Sequence, residues 1–190
     1  MTASGSGFEI ETPPILADQG LRTLFEYWRA LGIAANGLPP VQAFDPLHLP
    51  KLLANIWILE VAPGTHRFRM RLAGESINAI YGRNIGGQYF SDVFAPSEVD
   101  MLVARYTRAL TQPAIFRAAG AVYSAAGRFS KGERISFPMV GRSGFTDTML
   151  GATTYDERVI ESSAVHVMGG VPTFYPVRAA NHRPPEIAGG

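Results

Sequence analysis

The side chains able to carry chemistry in this sequence are few and far apart. Histidines stand at 48, 66, 166 and 182. No two are three or four residues apart, as a metal pair on one helix face would be, so no metal centre is expected. Cysteine is absent, which removes thiolate nucleophiles, disulfides and cysteine metal sites. Gly86-Gly87 and Gly169-Gly170 lie outside any phosphate-loop pattern and read as turns. No Gly-x-Ser-x-Gly elbow occurs. The row Arg67, Arg69 and Arg71 could contact phosphates, but Phe68 and Met70 alternate with it and point the other way. With no aromatics on the arginine face, a solvated strand surface is expected, and no nucleic-acid contact. One enzymatic combination stays open as the alternative. Asp92 or Asp147 could serve as a base, with a Tyr81 or Tyr106 hydroxyl as oxyanion donor, in an isomerase or cyclase built on a curved-sheet α+β cone. That fold sets its main helices before most strands, whereas here two strands precede the small helices.

The whole-chain balance excludes further classes. Its 190 residues are 46% hydrophobic and 17% charged, which describes a globular chain with one domain and appendages. Seventeen basic side chains face 16 acidic ones, and a net charge of +1 gives no general attraction to nucleic acid or anionic membrane. No apolar run approaches the roughly 18 residues a membrane span needs. Met1 to Gly7 has neither a basic patch nor an apolar core. A soluble, cytoplasmic protein is expected.

The elements that must position these groups follow from periodicity. Ile56 to Val61 and His66 to Leu72, joined by Pro63-Gly64-Thr65, read as a β-hairpin because Phe68, Met70 and Leu72 alternate with the arginines. Two short glycine-bounded segments follow, Gly74 to Gly82 and Gly86 to Phe94, each too short to stand alone as a helix. Ser97-Glu98-Val99-Asp100 after Pro96 opens a long helix with the stripe Val99, Leu102, Val103, Tyr106 and Leu110, stopped by Pro113. Strands are expected over 114–124, 133–140 and 148–154, with Pro138 at an edge or bulge. Upstream, Leu21, Leu24, Phe25, Trp28 and Leu31 mark an amphipathic helix that Gly32 can end. Asp45-Pro46 caps a further helix running to about Ala54. Ile56 and Ile58 are expected on the sheet face that Phe25 and Trp28 cover.

Residues 1–17 read as a flexible segment, 18–155 as the domain, and 156–190 as an extended Pro-rich tail in which Val165 to Met168 could add a short strand. If the sheet wraps around the small helices, Trp57, Phe68, Met70, Ile80, Tyr81, Phe90, Phe94 and Tyr106 converge. They then form either plain core or an apolar pocket for a small molecule.

A strand pair, small helices, a long helix and three strands resemble a PAS domain, of a small stand-alone bacterial family. The residues that carry the resemblance are Leu24 to Arg29, Asp45-Pro46 with Leu52-Leu53, the hairpin, Arg71 to Gly74, and Tyr81 to Gly87. It covers roughly residues 20 to 155. It implies an α+β fold with a five-stranded antiparallel sheet, short helices on one face and a preceding amphipathic helix. It also implies a non-enzymatic sensor or protein-interaction module in bacterial signalling. The chain is too short for an output domain beside it, so any output is expected to pass through another signalling protein. PAS proteins of this kind often pair through the N-terminal helix, which implies a homodimer contact at Leu21, Leu24, Phe25 and Trp28. No cofactor is identified. The helix from Val99 to Leu110 lacks the histidine that haem-binding relatives carry there, and flavin or cinnamoyl photochemistry requires a cysteine.

Overall fold

The computed structural model describes residues 7–125, 128–155, 160–161 and 172–188. The expected strand at Val165 to Met168, and His166 with it, fall outside these.

Helix α1 (Gln19–Ala35) starts where Asp18 accepts a hydrogen bond from the Leu21 N–H. It does not end at Gly32. The chain continues to Asn36, whose left-handed φ of 48° closes the helix. Gly32 has a different role, because its missing Cβ leaves room for the Phe8 ring, which a Cβ would meet at 2.4 Å. The helix expected from Asp45 is broken into 3₁₀ turns at Pro46–His48 and Leu53–Asn55. Asp45 caps the first by accepting from the Leu47 N–H. Pro50 explains the break, since proline denies the preceding residue helical geometry and supplies no N–H of its own.

The sheet holds eight strands among the described residues. They are β1 (Phe8–Ile10), β2 (Ile56–Ala62), β3 (Arg67–Ala73), β4 (Ala114–Ala125), β5 (Arg128–Met139), β6 (Thr148–Tyr155), β7 (Ile160–Glu161) and β8 (Thr173–Ala179). Their order is β1-β8-β4-β5-β6-β2-β3, with β7 beside β5, and every pairing is antiparallel. The early hairpin and the later three strands thus join at β2 and β6, where Ile58 faces Leu150.

The expected five strands are contiguous and end at β3 on one edge of this sheet, and both ends of the chain extend it beyond β4 on the other side. β8 pairs with β4, and β1 pairs with β8. The described part of the N-terminal segment is therefore packed, with Phe8 and Leu16 buried. Pro176 hid β8 from the sequence reading, yet its carbonyl still accepts from the Glu11 N–H at 3.4 Å. Pro138 lies beyond the last β4 partner, Ser136, where a missing N–H disturbs no ladder on that side.

Helices α2 (Glu75–Tyr81), α3 (Phe90–Val93) and α4 (Pro96–Thr111) cover one face of the sheet, and α1 covers the other. α4 begins two residues before the expected capping box: Ala95 is its cap, Pro96 its first residue, and Glu98 accepts from the Ala95 N–H. On the α1 side, Trp28 stacks on Phe137 at 4.9 Å and donates to the Pro138 carbonyl at 3.2 Å. Ile56 and Ile58 lie in that same cluster with Phe25 and Trp28. Burying each such side chain contributes roughly 1.5–3 kcal/mol.

One strand residue breaks the alternation. Ile58 faces Leu72 while Leu59 faces Met70, so Arg71 is an extra residue and the phase changes there. Leu72 therefore leaves the inner face and stays 42% exposed. Among the described residues no helix is long and apolar enough to cross a membrane.

Candidate functional site

The inner face of β2, β3 and β5, together with α2, α3 and α4, encloses an aromatic cavity. Trp57 is its fixed wall. The indole Nε1 donates to Thr153 Oγ1 at 3.0 Å, and the ring covers Gly151, where a Cβ would lie 2.3 Å from it. Tyr106 from α4 meets Trp57 edge-on at 6.0 Å. Phe90 stacks on Phe68 at 5.4 Å and meets Phe94 edge-on at 5.2 Å, while Phe94 in turn meets Tyr81 at 6.0 Å.

Of the eight residues expected to converge, Trp57, Met70, Tyr81, Phe90, Phe94 and Tyr106 line this cavity. Phe68 stands behind Phe90 and lines the groove beside it, and Ile80 packs on the same cluster without reaching the cavity. The enclosed volume is about 30 Å³. One water needs about 10–15 Å³ on that measure, so the cavity as built holds a water or two and no metabolite. A groove of about 380 Å³ lies directly outside and shares Phe90 and Phe94 with it. Those two rings are the partition, carried by the four-residue α3 and the residue after it.

The sequence reading missed Arg134, which also lines the cavity. It is 7% exposed, donates from Nε to Thr153 Oγ1 at 3.0 Å, and from Nη2 to the Val122 carbonyl at 3.2 Å. In Glu133-Arg134-Ile135-Ser136-Phe137 the alternation sends Arg134 and Ser136 to the face opposite Ile135 and Phe137. Such a pattern ordinarily marks a solvent face. Here helices cover that face as well. Nearby on α4, burial lowers the pKa of Arg105; Tyr106 opposes that shift and the like charge of Arg134 adds to it. Among the described residues three polar side-chain atoms, all on α4 or β5, are shut off from solvent without a hydrogen-bond partner: Arg105 Nη1, Thr107 Oγ1 and Ser136 Oγ.

On the opposite face, Glu133 is buried and accepts from the Ala17 and Asp18 N–H groups at 2.9 and 3.0 Å, and from Arg117 Nε at 2.7 Å. Adjacent residues of β5 thus reach the cavity on one side and the start of α1 on the other.

The remaining candidates are dispersed. Asp92 caps α3 by accepting from the Tyr89 N–H at 3.1 Å. Asp147 accepts from the Ser143 and Thr148 hydroxyls beside a different groove, near His66 and Glu186. Neither aspartate lines the cavity that holds Tyr81 and Tyr106. His48 stacks on Tyr27, His66 lies against the Glu186 carbonyl, and His182 bridges Thr146 and the Thr111 carbonyl. No group of three metal-ligating side chains forms among the described residues. Of the arginine row, Arg67 lies over the Tyr89 ring, and Arg69 pairs with Glu60, whose hydrogen bond raises its pKa. Leu21, Leu24, Phe25 and Trp28, expected at a dimer contact, are all buried within their own chain. The physical reason is that α1 lies flat on β5 and β6, and its apolar stripe is the surface that covers them.

A family model described as a PAS domain matches residues 16–154. No curated protein and no solved structure matches the chain.

Proposed function

The chain belongs to the PAS domain family, and on that premise we propose that it is a non-enzymatic sensory or protein-interaction module acting in cytoplasmic signalling. A small molecule occupies the aromatic cavity, and the output passes to a partner protein. The observation that carries this reading is the pair Glu133 and Arg134. One side chain reaches the cavity and its neighbour holds the Ala17 and Asp18 amides at the start of α1.

The mechanism is a population shift. A cavity of about 30 Å³ must open before it can accept a metabolite. Turning Phe90 and Phe94 outward merges it with the groove of about 380 Å³ outside. The ligand selects that open state, and its apparent affinity is weakened by the fraction of time the open state is empty and available. Movement transmitted along β5 then alters how Glu133 holds α1. A homodimer belongs to the same proposal, but it must form through residues other than Leu21, Leu24, Phe25 and Trp28, which are already covered.

Native mass spectrometry of gently purified protein tests the reading, since it reports subunit number and any retained small molecule together. A bound mass, or stabilisation by a compound in a wide metabolite screen, is the expected result. A protein that carries nothing and is stabilised by nothing leaves the aromatic cluster as packing only.

A further inference from the structure

We propose that the ligand of the aromatic cavity is an apolar carboxylate, with Arg105 as the group that holds its anionic end and Arg134 lining the cavity beside it. This rests on reading the cavity as a ligand site.

Arg105 is not itself among the cavity-lining residues, but it lies on α4 between two that are, Leu102 one turn before it and Tyr106 immediately after. Its Nη1 is shut off from solvent and meets no acceptor among the described residues. A charged donor left in that state is costly, and native structures rarely retain one without a use. The helix itself supplies no relief. The positions that face Arg105 on α4 are Met101, Leu102, Arg108 and Ala109, none of them acidic. The neighbours that act on its charge are Tyr106, which favours it, and Arg134, which opposes it. Arg105 Nη1 is thus a cationic donor short of an acceptor. Ser136 Oγ, two residues beyond Arg134 on the same face of β5, is fully buried and also without a partner.

The rest of the lining sets the ligand's body. Trp57, Met70, Phe90 and Phe94 offer apolar and aromatic surface. Inorganic phosphate would gain the Arg105 guanidinium and none of that surface. A carboxylate presents two coplanar oxygens that suit a single guanidinium fork, and an apolar tail that suits the aromatic walls.

The test uses the full chain and matched pairs of probes: phenylacetate, hydrocinnamate and octanoate, each against its own amide, with inorganic phosphate as an anion lacking a body. Calorimetric titration and thermal unfolding are run on the wild type, Arg105→Gln and Arg105→Lys. At least one carboxylate is expected to bind the wild type about tenfold or more tightly than its amide. Arg105→Gln erases that preference, and Arg105→Lys, which keeps the charge but loses the fork, falls between. Ligand-free Arg105→Gln should melt no lower than the wild type, because the buried Nη1 it removes has no hydrogen-bond partner among the described residues.

Equal binding of acid and amide overturns the carboxylate assignment and leaves the ligand site standing. Undiminished carboxylate preference in Arg105→Gln overturns the role of Arg105. A drop of several degrees in the ligand-free variant does the same, because it reveals a structural partner. If no probe of either kind binds, the carboxylate assignment fails; the native-mass and metabolite-screen result then decides separately whether the cavity is a ligand site at all.

Discussion

Trp57 on β2 and Arg134 on β5 donate to the same oxygen, each at 3.0 Å from Thr153 Oγ1 on the strand between them. A hydroxyl oxygen offers two acceptor positions, and here both are filled. That single atom fixes the indole that walls the cavity and the guanidinium that lines it.

Thr153→Val should therefore orphan two buried donors at once, one of them charged. A loss of roughly 2–4 kcal/mol is expected, read as a lowered urea midpoint at unchanged slope. Thr153→Ser keeps the oxygen and should recover most of the loss. If the valine variant is as stable as the wild type, the shared hydroxyl has no structural weight.

Gly151 lies under the same indole, and a Cβ there would stand 2.3 Å from the Trp57 ring. The ring cannot swing away without giving up its bond to Thr153. Gly151→Ala should cost roughly 1–3 kcal/mol by overpacking. In a Trp28→Phe background it should also shift the emission of Trp57, then the one tryptophan of the chain's two that remains. Unchanged emission and stability would mean that the strand yields instead.

Glu133 holds the start of α1 and the guanidinium of Arg117 together. Glu133→Gln removes the charge and forces one amide NH₂ against donors. Arg117 keeps some solvent contact, so the expected cost is below the full price of breaking a buried pair, roughly 2–3 kcal/mol. Hydrogen exchange should show where it falls, with faster exchange at the Ala17 and Asp18 amides. Faster exchange spread evenly over the sheet would contradict a tether local to α1.

The tail strand β8 separates β1 from β4 in the sheet. Ending the chain at residue 171 should bare the β4 edge and release β1. The truncated protein is expected to melt lower and to form oligomers in light scattering, as unprotected edges do. Val177→Asp, at a buried β8 position, should weaken the fold in the same direction. A monodisperse truncation with unchanged melting would show β8 to be an accessory to the fold.

Much of this architecture was legible locally. The alternation in Arg67 to Met70 announced a strand, the spacing of Leu21, Leu24, Phe25 and Trp28 announced the helix stripe, and Asp45 announced its cap. The errors share one cause. Gly32 reads as a helix end because nothing nearby in sequence reveals that Phe8 needs the space. Leu72 reads as buried because a bulge shifts the phase without leaving a mark in composition. Arg134 escapes notice because alternation reports which residues share a face, not whether that face is covered.

By itself, then, the sequence determined the short-range order. It set where strands and helices form and which side chains share a side, since period and capping depend on neighbours a few positions away. Tertiary structure alone decided what each side meets. It placed helices over both faces of the sheet, turned Arg134 inward, left Arg105 Nη1 without an acceptor among the described residues and shrank the cavity to the size of a water or two. Those outcomes depend on contacts between residues on different elements, such as Trp28 with Pro138 and Trp57 with Thr153, and packing in three dimensions has no local signature.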